Sequence, residues 1–213
     1  MTDPEDMTAE EAIEESVAFM RGHLSGLLRF EGEVRPVKIA VALDGSLVMP
    51  AMVAMLRSVD TTLYLPDEGD ASMHMHVTLE EIEDRGEHAA LCDRWRIYHG
   101  DPPDVRWALV RIDAVRFDGL FIDGEAMHRA NPLAKLEAGL CKRLNAERTD
   151  DIRTACRLHK EIVLERPIVV GVDPFGFDVR GTFDVVRLES PIVLTNERDV
   201  MQAIAELVGP RPA

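Results

Sequence analysis

The sequence has 213 residues, of which 46% are hydrophobic and 30% are charged. This composition excludes a disordered chain, and the length predicts one large domain or two small ones whose core needs no disulfide or metal. Lys and Arg number 24 and Asp and Glu 39, so the formal net charge of −15 excludes general binding to a nucleic acid backbone.

The first predicted element is a helix. Thr8 followed by Glu11 has the spacing of a capping box. Apolar residues then recur at helical spacing from Ile13 onwards. Glycines weaken the second half of this pattern, and we predict that the helix ends near Phe30.

Short strands with turn signals between them follow the helix. The dipeptides Asp44-Gly45 and Asp118-Gly119 are two-residue hairpin signals, and a change of apolar register predicts a bulge near Asp113. A short helix or turn is predicted at 51–57 and a long loop at 93–104. Further strands are predicted at 61–65, 73–79, 89–92 and 105–115. Six or more antiparallel strands within 35–123 indicate a closed or partly closed barrel.

The pattern changes at Asn131-Pro132, where Asn131 is suited to cap a helix and Pro132 to begin it. A second helix is predicted from near Thr149 and a last one after Asn196. Between these helices we predict strands at 168–172, 177–180 and 182–188. The sequence therefore predicts two domains, a barrel with an N-terminal helix at 1–130 and a small α+β domain at 131–213.

Two features of the sequence predict where the protein resides. No run of about 18 apolar residues is present, and the acidic start MTDPEDMTAEE lacks the apolar segment of a signal peptide. Three widely spaced cysteines, Cys92, Cys141 and Cys156, are typical of reduced thiols. We predict a cytoplasmic protein that binds neither membranes nor nucleic acid.

The C-terminal segments RLNAERTDDIRTACRLH and PIVVGVDPFGFDVRG, followed by a terminal helix, resemble the small C-terminal domain of some flavin-binding split barrels. These belong to the pyridoxamine-phosphate-oxidase-like superfamily, and the layout is most similar to its haem-utilisation, haem-oxygenase-like branch. Arg143 and Arg148 stand where the helix motif of that branch has histidines. The resemblance implies an α+β fold, an antiparallel split β-barrel of the FMN-binding type followed by a small α+β domain. It also implies a homodimer with FMN or haem at the dimer interface.

A flavin phosphate needs cations and hydroxyl or amide donors on one wall. Arg35 and Lys38 enter the first hairpin, and Arg57 and Ser58 follow the second strand. In similar flavin-binding barrels these regions face the phosphate, so we predict all four as cofactor-binding residues. The alternative is that they are ordinary surface cations. Apolar residues at 49–52 replace the serine- and threonine-rich phosphate grip, which argues against flavin.

The run Asp93–Gly100 combines aromatic and cationic residues in an acidic chain. Trp95 and Tyr98 could stack on a planar ring while Arg94 or Arg96 pairs with its acidic groups. Of these residues, Trp95 and Arg96 are predicted to bind the cofactor. The alternative is that the aromatic side chains pack onto the barrel and the arginines pair with nearby aspartates.

Histidines offer two further hypotheses. His74 and His76 lie on the same side of a strand and could ligate a metal with a third group, although a polar strand face that holds no metal is the simpler interpretation. A haem would need an axial ligand, for which His99, His128 and His159 are candidates. No histidine follows His159, whereas the related oxygenases have a ligand near the C-terminus.

Three functions remain open from the sequence. The first is an FMN-dependent oxidoreductase of unknown substrate, in which the flavin carries the redox chemistry. The second is a non-catalytic dimeric binding or regulatory protein that has lost the cofactor. The third is a haem-binding or haem-degrading protein. No catalytic acid, base or nucleophile is predicted, because no hydrolase, zinc-protease or nucleotide-binding motif is present.

Overall fold

The computed structural model describes residues 8–102 and 106–209. The chain divides into two compact units. One unit holds the residues up to Arg96 together with Gly100–Ala130, and the other holds Ile97–His99 and the residues from Asn131 onwards.

Helix α1 (Ala9–Gly22) begins with the predicted capping box. The Glu11 amide donates to Thr8 Oγ1 at 3.3 Å, and the Thr8 amide donates to the Glu11 carboxylate at 2.8 Å. The predicted helix end near Phe30 is wrong, because strand β1 (Ser25–Phe30) follows the helix. Gly22 and Gly26 give this segment poor helix propensity, and its spacing of apolar residues also fits a strand that pairs on both edges.

The first unit is built on one antiparallel sheet. After β1, its strands are β2 (Glu33–Lys38), β3 (Ala40–Val41), β4 (Leu47–Ala51), β5 (Thr61–Leu65), β6 (Met73–Ile82), β7 (Arg106–Phe117) and β8 (Leu120–Asp123). Their order is β2-β1-β5-β6-β7-β4-β3. Strand β4 pairs with residues 106–110 of β7, and β8 pairs with residues 114–117 further along the same strand.

The two edge strands of this sheet explain its curvature. Strands β2 and β3 are at opposite edges of the sheet, yet only Ile39 separates them in the chain. The sheet must therefore curl until its two edges nearly meet. Ile39 is fully buried at this junction, and its amide donates to the Leu24 carbonyl at 2.9 Å. The predicted α+β fold with an antiparallel split β-barrel is confirmed.

Both hairpin signals occupy the positions predicted for them. Asp44-Gly45 lies in the turn between β3 and β4, and Asp118-Gly119 in the turn between β7 and β8. The bulge is also confirmed, because the pairing of β6 with β7 skips Asp113. Two short helices, α2 (Val53–Arg57) and α4 (Gly124–Met127), complete the connections of this unit.

The predicted strand at 89–92 and the loop at 93–104 are wrong over the described residues. This segment forms helix α3 (Ala89–His99). Cys92 and Trp95, three residues apart, lie on one helix face and are buried in a cluster that includes Trp107. The two indole rings meet edge to face with their centroids 5.6 Å apart. This packing favours a helix over the extended loop that the mixture of charged and aromatic residues suggests.

The second unit has the predicted order of elements. Its helices are α5 (Ala134–Glu147), α6 (Thr149–Lys160) and α7 (Glu197–Val208), and its sheet has the strands β9 (Ile168–Asp173), β10 (Gly176–Arg180) and β11 (Val185–Glu189) in the order β11-β10-β9. Asn131 precedes α5 and accepts a hydrogen bond from the Leu133 amide at 3.0 Å. Phe177 is fully buried within the core between these helices and the sheet.

Side chains of α5 and of the segment before it form hydrogen bonds with backbone groups along the outer edge of β9. The Asn145 amide group donates to the Val169 carbonyl at 2.9 Å and accepts from the Val169 amide at 2.8 Å. Asn131 donates to the Val172 carbonyl at 2.8 Å, and Glu137 accepts from the Val172 amide at 3.2 Å. These side chains take the place of a further strand, which protects the edge against pairing with another chain.

A buried ion cluster brackets the turn between β9 and β10. Arg187 lies between Asp173 and Asp178, with nitrogen–oxygen distances of 2.5 Å and 3.0 Å, and its side chain is only 6% exposed. The Tyr98 hydroxyl donates to the second oxygen of Asp178 at 3.0 Å. The two aspartates of the sequence VDPFGFD therefore form the anionic half of a structural cluster within this unit.

The cysteines are predicted to differ in reactivity. Burial raises the pKa of the Cys92 and Cys156 thiols to about 11, whereas Cys141 is partly exposed. At about pH 8 only a very small fraction of the two buried thiols is ionised. Iodoacetamide should therefore modify Cys141 first in the folded protein and all three thiols in denaturant, as measured by mass spectrometry of the digested protein. Equal rates for Cys92 and Cys141 in the folded protein would contradict this expectation.

Candidate functional site

The candidate site lies on the face of the barrel sheet that points away from the core. Tyr64, His74, Arg116 and Phe121 are direct cross-strand neighbours on β5, β6, β7 and β8. A second row beside them contains Arg29, Thr62, His76 and Ala114 on β1, β5, β6 and β7. Successive residues of a strand point to opposite faces. The intervening side chains are buried in the core: Leu63, Met75, Val115 and Ile122.

These two rows form the floor of an open cleft with a volume of about 790 Å³. The walls come from the turn after β1 and from the segment that joins α2 to β5. The complete lining is Arg29, Glu31, Gly32, Arg57, Ser58, Val59, Asp60, Thr62, Tyr64, His74, His76, Ala114, Val115, Arg116 and Phe121. The volume is in the range of sites that bind small molecules and cofactors.

The cleft is cationic although the protein is strongly acidic. Its lining contains three arginines and two histidines against the carboxylates of Glu31 and Asp60, whereas acidic residues outnumber basic ones in the whole chain by 39 to 24. Arginines thus outnumber carboxylates in this lining, which is the reverse of the balance in the whole chain and favours an anionic ligand here over the rest of the surface.

One end of the floor is held in place by contacts among its own side chains. The Arg29 guanidinium lies 5.3 Å from the centroid of the Tyr64 ring and pairs with Glu68. The Tyr64 ring meets the His74 ring edge to face with centroids 4.7 Å apart. These contacts join the side chains of Arg29, Tyr64 and His74 into one packed group on the cleft side of β1, β5 and β6.

Both ring nitrogens of His74 lie near a polar group of another part of the barrel unit. Arg116 Nη2 lies 3.4 Å from His74 Nδ1, and the Gly69 carbonyl lies 3.4 Å from His74 Nε2. Arginine can only donate hydrogen bonds, so Nδ1 is the acceptor in the contact with Arg116. His74 therefore helps to position the Arg116 guanidinium in the cleft.

Two other side chains of the cleft have no such contacts. Within the described part of the chain, Arg57 and His76 make no side-chain hydrogen bond or ion pair. Arg57 is in the last turn of α2, next to Ser58, whose hydroxyl donates to the Asp60 carbonyl at 3.1 Å. Both Arg57 and His76 are exposed and line the cleft, where they can contact a ligand.

Some of the cofactor-binding residues predicted from the sequence line the cleft, and the others lie outside it. Arg57 and Ser58 line the cleft. Arg35 pairs with Glu33 at 2.8 Å on β2 and is absent from the lining. Lys38 is also absent from it, and its carbonyl accepts a hydrogen bond from Trp95 Nε1 at 2.9 Å.

The other two predicted residues, Trp95 and Arg96, have packing roles. The Trp95 indole is buried in the barrel unit. The Arg96 guanidinium pairs with Asp84 at 2.6 Å and Asp93 at 2.9 Å, and lies 5.0 Å from the centroid of the Trp107 ring. This arrangement agrees with the alternative in which the aromatic side chain packs inward and the arginine pairs with aspartates.

The remaining histidines lie outside this cleft. His159 Nε2 lies 2.8 Å from the Leu207 carbonyl, and His99 is in the last turn of α3. His128 lines a smaller cleft of about 310 Å³, where its Nε2 is 3.4 Å from the Ser46 hydroxyl. Among the described residues, no three or more His, Cys, Asp or Glu side chains are placed to hold a metal ion together. The metal hypothesis for His74 and His76 is not supported.

Sequence reasoning missed Arg29, Tyr64, Arg116 and Phe121 as site residues. The alternation of His74 and His76 with buried methionines correctly placed the histidines on the outer face. In β5 all five residues are buried, and in β7 the alternation is interrupted by the bulge, so the sequence does not show which residues of these strands share that face. The partners across the strands also depend on register, and the bulge at Asp113 shifts the register within this site.

Comparisons with known proteins support the fold but give no function. No protein-family model and no curated protein matches the chain. A solved structure of Atu2129 from Agrobacterium tumefaciens, a protein of unknown function, is similar over 98% of this chain and 100% of its own, with a TM-score of 0.68 and 18% identity.

Two solved structures are less similar. A haem-binding protein from Mycobacterium smegmatis matches 95% of this chain and 98% of its own, with a TM-score of 0.45 and 21% identity. A candidate pyridoxamine 5′-phosphate oxidase from Listeria innocua matches 52% of this chain and 100% of its own, with a TM-score of 0.41 and 15% identity. No helix among the described residues is long and apolar enough to cross a membrane.

Proposed function

We propose that the barrel unit binds a planar anionic ligand in the cationic cleft and that flavin mononucleotide is this ligand. One observation carries the proposal. In a chain with a net charge of −15, Arg57 and Arg116 line a cleft together with the aromatic rings of Tyr64 and Phe121. Cations beside aromatic surface are the combination that recognises a phosphate attached to a planar ring system.

The residues of the cleft fit FMN. Arg57 and Arg116 would hold the phosphate. The exposed ring of Phe121, with the largely buried Tyr64 ring in the same floor, would provide apolar surface for the ring system. When bound, the flavin would supply hydride or electron transfer, and the protein would supply its orientation and electrostatic environment. An FMN-dependent oxidoreductase is therefore our proposal for the activity, without an assigned catalytic acid or base.

The rim of the cleft supports a homodimer with the ligand at the interface. Phe121 is 82% exposed and Val59 is fully exposed, and both apolar side chains line the open side of the cleft. A second copy of the chain would bury them and would shield a bound ring from water. Because this exposed apolar surface is continuous with the cleft, we propose that a second copy of the chain covers it.

Haem is a second candidate ligand, because His76 adds an imidazole without a partner to the same cleft. A neutral imidazole is a common axial ligand, and Arg57 and Arg116 could pair with propionate groups. Titration with hemin tests this candidate. A Soret band that is lost in a His76→Ala variant would favour haem over flavin.

Titration with FMN and with riboflavin tests the first proposal. Riboflavin has the same ring system without the phosphate, so we expect it to bind about tenfold or more weakly than FMN, since a charge-assisted contact contributes about 1.5–3 kcal/mol. Quenching of flavin fluorescence measures both affinities, and sedimentation of the same samples should give twice the mass of one chain. Equal affinities for FMN and riboflavin would show that the cationic cleft does not bind the phosphate. Absence of both flavin and hemin binding would favour the non-catalytic alternative.

A further inference from the structure

We propose that Glu68 restricts the cationic cleft to ligands that carry their negative charge at one end only, because it neutralises one of the three arginines in the lining. This inference rests on the proposed function and specifies the class of ligand that the cleft selects. The essential observation is that Arg29 lines the cleft but pairs with Glu68, which is not part of the lining.

The Arg29 side chain is held between a ring and a carboxylate. Its guanidinium lies 5.3 Å from the centroid of the Tyr64 ring and pairs with Glu68. Both members of the ion pair are partly exposed, so a ligand in the cleft can reach them. A cation that already has a carboxylate partner attracts a further anion much less than a free cation does, because the two charges of the pair largely cancel.

The loop between β5 and β6, which carries Glu68, is held by its own hydrogen bonds. The Ser72 hydroxyl donates to the Asp67 carboxylate at 2.8 Å and accepts from the Gly69 amide at 3.2 Å. Ser72 is buried, and the Gly69 carbonyl lies 3.4 Å from His74 Nε2 on the floor of the cleft. Both chain neighbours of Glu68 are therefore anchored, which keeps its carboxylate at this corner of the cleft.

The other two arginines of the lining keep their charge available to a ligand. Neither Arg57 nor Arg116 pairs with a carboxylate among the residues that the structure describes. Arg116 is on β7, three strands away from Arg29 on β1, and strands about 4.8 Å apart separate their backbones by about 14 Å along the sheet. The attraction for an anion is therefore concentrated on Arg57 and Arg116, whereas the β1 end of the floor offers a ring and an internally paired cation.

This division of charge matches a ligand with an anionic group at one end and an uncharged ring system at the other, as in FMN. A second anionic group at the ring end would meet the Glu68 carboxylate. Any contact of that group with Arg29 would be offset by the loss of the existing ion pair. Glu68 is therefore a specificity-determining residue that acts by disfavouring the wrong ligand.

The test compares two probes with the same ring system, naphthalene-2-sulfonate and naphthalene-2,6-disulfonate, which has a second sulfonate at its far end. We expect the wild-type chain to bind both with similar affinity, since the second sulfonate finds no free cation at the β1 end. Glu68→Gln should raise the affinity for the disulfonate about three- to fivefold, the size of an interaction between exposed charges. It should hardly change the affinity for the monosulfonate. Calorimetry of the full chain measures all four affinities.

Two control variants separate the release of Arg29 from a general change of charge. Asp70→Asn removes one negative charge from the same loop, and Asp70 is exposed without a side-chain contact in the described part of the chain. This control should keep the wild-type ratio of the two affinities. In the double variant Arg29→Gln with Glu68→Gln, the gain for the disulfonate should disappear, because Glu68 acts through Arg29.

The inference is overturned if Glu68→Gln leaves the ratio of the two affinities unchanged, or if Asp70→Asn raises it equally. Circular dichroism verifies that these surface substitutions leave the fold intact. The proposed function can fail separately. If FMN and the monosulfonate bind but Glu68→Gln gives the disulfonate no advantage, only the inference is wrong. If neither FMN nor either sulfonate binds to the wild type or to Glu68→Gln, the proposed function is wrong and the inference with it.

Discussion

Replacement of Arg187 by methionine is expected to destabilise the second unit by about 3–5 kcal/mol, because it leaves two carboxylates buried without their cation. Arg187 contacts Asp173 through two nitrogens and Asp178 through one, and all three side chains are almost fully buried. Methionine fills similar space, so the loss arises from charge and hydrogen bonding more than from a cavity.

The pH dependence of this variant distinguishes the buried charges from a packing defect. Burial raises the pKa of Asp178, and the Arg187 charge opposes that rise. Without Arg187, the folded state should favour a protonated Asp178 still more strongly. A carboxyl whose pKa is higher in the folded state contributes stability at low pH and loses it as the pH rises through the folded value. The Arg187→Met variant should therefore lose stability relative to wild type as the pH rises from the acidic range towards neutral.

Hydrogen exchange of peptides from β9, β10 and β11, together with urea unfolding at several pH values, measures this effect. Arg198→Met is the matched control, because Arg198 is an exposed arginine of the same unit without a side-chain ion pair among the described residues. The control should unfold like wild type. A loss of stability in Arg187→Met that is the same at every pH would contradict a role for the buried carboxylates.

The local features of this fold were predictable because each depends on a few adjacent residues. The capping box at Thr8 and the turns at Asp44-Gly45 and Asp118-Gly119 follow from hydrogen bonds and backbone conformations that these residue types favour. The bulge at Asp113 was readable from a change in apolar register. These signals were sufficient to predict an antiparallel barrel.

The errors occurred where distant contacts decide the structure. Residues 25–30 have helical spacing, but they form β1 because β2 and β5 pair with it on both sides. The sequence predicts a strand and a loop where helix α3 forms, because the contact of Trp95 with Trp107 joins two segments that sequence alone does not bring together. Tertiary packing outweighed the local preference in both cases.

The residues of the candidate site divide in the same way, into those that local sequence indicates and those whose position depends on distant contacts. The sequence predicts Arg57 and Ser58 as phosphate-binding residues because a phosphate requires cations and hydroxyl donors, and both residues line the cleft. Arg116 was missed because its role depends on cross-strand pairing with His74. Arg35 has the right charge but lies on β2, where it pairs with Glu33 outside the cleft.

The residues that line the cleft therefore predict a different set of phosphate-binding arginines from the set that the sequence alone predicts. A double variant, Arg57→Glu with Arg116→Glu, should weaken FMN binding at least about 100-fold. Each arginine is expected to contribute about 1.5–3 kcal/mol through a charge-assisted contact, and each glutamate adds repulsion. Flavin fluorescence quenching measures the affinity, and circular dichroism verifies that these exposed substitutions leave the fold intact.

The matched control is Arg35→Glu with Arg85→Glu, which alters the net charge by the same amount on the same unit but outside the cleft. Because long-range attraction between exposed charges is screened by salt, this control should lower FMN affinity only slightly at physiological ionic strength. An equal loss in both double variants would show that FMN responds to the general field of the barrel unit. A loss caused by Arg35→Glu alone would instead show that Arg35 contacts the phosphate, as the sequence predicted for it together with Lys38, Arg57 and Ser58.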